Sequence, residues 1–345
     1  MGAGYSVSLG FDHAALVAAG KAQADGDDLR VYYFNGAGWT ELDRALDPLS
    51  AWNSATTQIW FRLVNPIGSS SSDNGYYIYY GDPGVSNPPD DWANVFRMGD
   101  DFNDGTLTSG LSTSLNGAAS ISETAGAARI SGGSVNADAG ILVANNSLPA
   151  SNQFVIRHKV SHLSGGTGLP DGCCNPEVKL VGIAESPAMP DVTTSAIENP
   201  RRRIVVYHRS DTDTDPGQEL TTSITYFDTA GSPVHWDGST WVAGNGNWTT
   251  QPLNTYFILD VVSDGTQWYV VFRDAAGTIL TQTTPVAWSS VREVGDPSWF
   301  YWGEVYTNAY WNDEDSDWVY LRDYVSSEPT SSLGIAGIVI QYRST

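Results

Sequence analysis

The side chains in this sequence that could carry chemistry are its carboxylates, histidines and aromatic rings. Polysaccharide hydrolysis needs two carboxylates across a cleft, which on a strand means acidic residues at alternate positions of one face, Glu-x-Asp-x-Glu. No such run occurs. The nearest acidic stretch, Asp313-Glu314-Asp315-Ser316-Asp317, reads as a turn before a closing strand, either a solvated acidic loop or a structural cation site. Tyr207-His208-Arg209 offers the residue types of a lyase, but strand alternation sends Tyr207 and His208 to opposite faces. His158 and His162 lie four residues apart in a strand context, which does not make a helical zinc pair, and His13, His208 and His235 supply no evident third ligand. A Gly-x-Ser-x-Gly elbow and a phosphate loop are both missing. These residues lead to the expectation that the chain is not an enzyme.

Binding residues are easier to find. Asp211, Asp213 and Asp215 alternate ahead of Gly217, an oxygen-ligand pattern suited to Ca2+. Gly217 comes one residue late for an EF-hand and Thr222 stands in place of its last glutamate, so an exposed polar loop is the alternative. Trp236, Trp241, Trp248, Tyr310 and Trp311 are candidates to stack on the C–H faces of sugars while nearby Asp and Asn accept hydroxyl hydrogen bonds. Core packing is the competing role for each, as it is for Trp299, Tyr301 and Trp302, where alternation sends half the rings inward. Cys173 and Cys174 are adjacent and cannot cross-link distant segments; they form either a vicinal disulfide or two thiols.

The elements that must position these residues are strands. Among 345 residues there are 35 Gly, 13 Trp and 17 Tyr against 3 Met, which points to a β-rich, turn-rich chain. With 17 Lys plus Arg against 39 Asp plus Glu, the net charge of −22 repels phosphate backbones and anionic membranes, and Arg201-Arg202-Arg203 is the one basic cluster. The longest apolar run, Leu333 to Ile340, is less than half of the ~18 residues that a membrane helix needs. Asp12 and His13 interrupt the apolar N-terminal stretch, so a signal peptide is not expected, a pattern that virion proteins share. Short alternating segments run from Tyr5 to Tyr80, with one helical turn between Asp12 and Ala19. Pro83, Pro88 and Pro89 then break the ladder. From Ala128 to Tyr324 a long series of β segments with Gly, Asp and Pro turns indicates a two-sheet jelly-roll sandwich.

Three motifs near the N-terminus, Asp25 to Arg30, Ile59-Trp60-Phe61-Arg62-Leu63 and Tyr77-Ile78-Tyr79-Tyr80-Gly81-Asp82, together resemble the family known as domain of unknown function 2341. Further on, Asp100-Asp101-Phe102 and Asp317-Trp318-Val319-Tyr320-Leu321-Arg322-Asp323-Tyr324, followed by Ser327-Glu328-Pro329, resemble the two ends of a concanavalin A-like (laminin-G-like) jelly roll. The resemblance implies an all-β chain: a small β-sandwich domain over residues 1–90, a linker over 91–99 and the jelly roll over 100–329, with a β tail over 330–345. It also implies a structural Ca2+ between the ends of the jelly roll, held by Asp100, Asp101 and Asp317. The expected role is a non-catalytic, lectin-like protein displayed on a virion, binding glycan or host-surface polysaccharide and contacting other subunits. A secreted or cell-surface filament protein is the first alternative and a polysaccharide hydrolase or lyase the second. The uncharged tail strand Leu333 to Tyr342 either pairs with the first domain or adds to a neighbouring subunit.

Overall fold

A computed structural model gives the architecture. It describes residues 1–342 apart from 109, 117–118, 125, 132–138, 145–147, 164–176, 185–201, 211–218, 245, 247, 253, 292–298, 306–313 and 335–336. The chain is all-β, as its composition predicts, and its strands pair antiparallel. No helix among the described residues is long and apolar enough to cross a membrane. Two compact units form, Met1–Gly99 with Tyr320–Thr345 and Asp100–Val319.

The first unit is a small β-sandwich. A three-stranded sheet runs in the order Ser6–Phe11, Thr57–Arg62, Arg44–Leu46, and a five-stranded sheet in the order Thr330–Gly334, Gly337–Tyr342, Ser71–Tyr79, Arg30–Phe34, Trp39–Leu42. Alternation supplies the core: Val7, Leu9, Ile59 and Phe61 from the first sheet meet Val31, Tyr33, Tyr76, Ile338 and Ile340 from the second. The helical turn is His13–Ala18, its first turn capped by the Asp12 carboxylate accepting from the Ala15 N–H at 2.9 Å.

Two of the motif segments bind each other. Asp28 accepts from the Gly81 N–H at 2.6 Å and from the Gln23 N–H at 3.0 Å, tying the first motif to the third. Gly26 has φ +75° and lies against the Trp52 ring, 2.5 Å from where a Cβ would stand, so only glycine fits. Arg44 is buried and its guanidinium donates to the Leu29 and Gly26 carbonyls at 2.8 and 2.7 Å, which ties the same turn to the neighbouring sheet. These residues build structure rather than a reaction centre.

Residues 91–99, expected as a linker, carry the short helix Trp92–Val95, with Trp92, Val95 and Phe96 buried. Phe96 stacks on Tyr320 at 4.4 Å, so apolar side chains hold a segment that a linker would leave in water. At the other end, Tyr320 onward belongs with the first unit. The tail strand Gly337–Tyr342 pairs with Ser71–Tyr79 and buries Ile338 and Ile340 completely.

The Asp100–Val319 unit has two sheets that combine hairpin neighbours with strands far apart in sequence, as a jelly roll does. One runs Ile279–Gln282, Gln267–Asp274, Tyr256–Asp264, Gln153–His162, Glu314–Asp323, Ala127–Ser131, Ser120–Thr124. The other runs Trp241–Ala243, Pro233–Trp236, Glu219–Phe227, Arg202–Ser210, Glu177–Ala184, Trp299–Val305, Ala139–Ala144, Leu111–Asn116. Phe154, Ile156, Leu259, Val261, Val270 and Phe272 are buried on the first sheet, and Ile183, Ile204, Val206, Ile224, Phe300 and Trp302 on the second.

Candidate functional site

The described aromatic candidates, Trp236, Trp241 and Trp248, meet at one hairpin. Pro233–Trp236 and Trp241–Ala243 are joined by a turn in which the Asp237 carboxylate accepts from the Ser239 N–H and hydroxyl and from the Thr240 N–H, at 2.8 to 2.9 Å. Those hydrogen bonds hold the exposed Asp237 carboxyl below the usual range, led by the backbone N–H of Thr240. Gly238 adopts φ +103° with the Trp248 ring 3.1 Å from its Cβ position, so Trp248 lies against the turn. Cross-strand pairing puts Trp241 opposite Trp236, 5.5 Å apart and edge-on.

The three indoles then part company. Trp236 is 2% exposed and is a core residue, which corrects its expected place in a glycan platform. Its ring packs edge-on against Trp241, which in turn meets Tyr226 and Trp268. Trp241 is only half-buried, fixed by edge contacts to Tyr226 and Trp268 and by its Nε1–H donating to the Thr284 carbonyl at 3.0 Å. Trp248 is also half-buried, edge-on to Phe272 at 5.1 Å. Trp248 therefore lies against Gly238 of a turn bearing an ionised carboxylate and two hydroxyls, and Trp241 opens the strand that follows it. Tyr310 and Trp311 lie outside the described residues, as do Asp211, Asp213, Asp215, Cys173 and Cys174.

The acidic stretch is not a turn. Residues 314–317 are the start of strand Glu314–Asp323, and alternation splits them between its two faces. Asp315 takes Arg129 in a two-pronged pair at 2.7 Å, and Asp317 takes Lys159 at 2.6 Å. Nearby on the same sheet, Asp260 is 2% exposed between Arg157, at 2.5 and 2.9 Å, and Arg273, at 3.1 Å. Burial, then the Asp315 and Asp317 charges, push the Tyr256 phenol up to about 12. Opposite charges from distant strands thus neutralise an acidic run that looks solvated in sequence.

The other face of the same strand is interior. Ser316 Oγ meets His158 Nε2 and accepts from Trp302 Nε1, both at 2.9 Å, and all three residues are fully buried. Glu314 is fully buried with neither carboxyl oxygen hydrogen-bonded, and desolvation raises its pKa well above the ordinary value. Its interior position was legible only in the alternation Glu314-x-Ser316-x-Trp318, which the acidic neighbours obscure.

Asp100, Asp101 and Asp317 do not form a cation cluster. Asp100 spends both oxygens on backbone N–H groups, of Phe102 at 2.8 Å and Thr108 at 2.7 Å, while Asp317 pairs with Lys159. Among the described residues no group of three or more His, Cys, Asp or Glu side chains is placed to hold a metal. Desolvation pushes the Asp100 carboxyl up to about 6.

No family model matches the chain, the domain of unknown function 2341 included, and no curated protein matches it. Solved structures do. Alginate lyase from Alteromonas sp. 272 is 12% identical, with 54% of this chain and 79% of that one covered and a TM-score of 0.34. The catalytic domain of an endo-1,3-beta-glucanase (laminarinase) from Thermotoga petrophila RKU-1 is 8% identical, covering 66% and 97%, with a TM-score of 0.38. The CBM2 module of the evolved Dit of Lactobacillus casei BL23 phage J-1 is 10% identical, covering 66% and 96%, with a TM-score of 0.37. The expectation that the chain is not an enzyme is corrected: an alginate lyase and a laminarinase catalytic domain stand among the solved structures it resembles. At such identities the likeness is one of fold and assigns neither substrate nor activity.

Proposed function

We propose that the Asp100–Val319 unit recognises a polysaccharide through the Pro233–Ala243 hairpin. The observation that carries this reading is the pair of half-buried indoles at the Asp237-Gly238 turn: Trp248, which lies against Gly238, and Trp241, held by its Nε1–H bond to the Thr284 carbonyl. Rings locked by edge contacts stack on a sugar with little further ordering cost, and the ionised Asp237 accepts hydroxyl hydrogen bonds. The setting belongs to the proposal: an exterior surface, a virion first and a secreted or cell-surface filament second.

A glycan array on the full chain tests the reading, followed by titration of the best ligand. Trp241→Ala and Trp248→Ala should each weaken binding by about 1–3 kcal/mol, roughly 5- to 150-fold in Kd. Unchanged affinity in both variants, or an array with no ligand, would refute it. Release of reducing ends or unsaturated sugars from the same ligand would show that the unit cleaves what it binds.

A further inference from the structure

The first unit carries an aromatic surface that lies outside the site described above. Alternation along Arg30–Phe34 and Ser71–Tyr79 sends Val31, Tyr33 and Tyr76 into the core and turns Tyr32, Phe34, Tyr77 and Tyr79 to the opposite face. Trp39 joins them, paired with Phe34 across the Asn35-Gly36 turn. Its ring lies 4.7 Å from Phe34, and it meets Tyr77 at 4.8 Å and Tyr79 at 5.7 Å edge-on. Tyr32 in turn meets Tyr79 edge-on at 5.2 Å. Trp39 and Tyr79 are each 49% exposed, although large aromatic rings are ordinarily buried. A contiguous exposed patch of this kind marks a binding surface.

From this geometry we infer that the outer face of the five-stranded sheet binds an uncharged glycan. The rings offer apolar faces to sugar C–H groups, and the phenols of Tyr32, Tyr77 and Tyr79 add hydroxyls able to exchange hydrogen bonds with the ligand. The charged groups at the rim, Arg30 and Glu41, are paired with each other at 3.0 Å. The face is therefore locally neutral on a chain of net charge −22. A polyanion is repelled by the rest of that charge, and a basic partner finds the carboxylate here already taken. A neutral polyhydroxylated chain meets neither obstacle. This site is separate from the hairpin of the other unit, and each stands or falls without the other.

Affinity electrophoresis of the full chain tests it, in gels cast with laminarin, galactomannan or hydroxyethylcellulose, and with alginate as the anionic control. At least one neutral polysaccharide should retard the protein. Trp39→Ala and Tyr79→Ala should each weaken that retardation by about tenfold or more, as removal of an aromatic anchor does. Because both side chains are half exposed, melting temperatures should stay at the parent value. The inference is overturned if no neutral polysaccharide retards the chain, or if both variants bind like the parent. Loss of retardation in Trp241→Ala alone would leave the hairpin reading intact and remove this one. Self-association that disappears in Trp39→Ala would make the face a contact between copies of the chain, and would equally overturn it.

Discussion

Removing the C-terminal strand should unfold the first unit. Ile338 and Ile340 are each 0% exposed, on a strand paired with Ser71–Tyr79, and they fill the core beside Tyr76. Truncating one buried isoleucine to alanine costs about 2–5 kcal/mol, from lost transfer free energy and the cavity left behind. A whole domain holds only about 5–15 kcal/mol, so Ile338→Ala with Ile340→Ala removes a large share of that even if the two effects overlap. At about 2–8 °C per kcal/mol, one substitution alone lowers the melting temperature by several degrees. Thermal unfolding of the full chain reads the shift, and hydrogen exchange at the Ser71–Tyr79 amides locates it. A chain ending at Pro329 should lose the transition altogether. If it melts like the parent while a larger assembly falls apart, the strand serves a neighbouring subunit and the reasoning fails.

Asp100→Asn should leave one of the Phe102 and Thr108 N–H groups without an acceptor, costing about 1–3 kcal/mol at neutral pH in chemical denaturation. Its folded pKa of about 6 lies above the ordinary 3.8, so the native state binds more protons between those values, and stability falls as pH rises through that window. The asparagine variant should lose this contribution, and an unchanged pH slope would contradict it. Asp260→Ala should destabilise the other sheet face by about 3–5 kcal/mol, because Arg157 and Arg273 are left side by side with their shared carboxylate gone. A loss under about 1 kcal/mol in urea unfolding would place Asp260 among ordinary surface pairs.

Much of the fold is legible because alternation is a local signal. Tyr5 to Tyr80 reads as strands, and the structure turns Val31, Tyr33 and Tyr76 inward in the phase that this pattern requires. What stays hidden is set by partners far away in sequence. The acidic run at 314–317 looks like a solvated loop because Arg129 and Lys159, which neutralise it, lie more than 150 residues earlier. Residues 91–99 look like a linker because nothing local shows Phe96 stacking on Tyr320. The tail strand is recognisably β-prone, but the edge it joins is fixed by the uncovered side of Ser71–Tyr79.

The candidate sites divide along the same line. Phe34 to Trp39 and Trp236 to Trp241 are both aromatic pairs closed by a four-residue loop, beginning Asn-Gly in one and Asp-Gly in the other, and the structure pairs the rings across the turn in each. Turn chemistry therefore predicts that the rings meet. It does not predict which face they share. In the first hairpin, Val31 and Tyr33 claim the core, so Phe34 and Trp39 must face outward and Trp39 is half exposed. In the second, Trp236 is buried against Trp241, and Trp241, which also meets Tyr226 and Trp268, stays half-buried. An aromatic hairpin is thus a stacking platform only where its neighbours in the strand have already filled the core, and that condition is met more fully by Trp39 than by any tryptophan singled out from sequence and described in the structure.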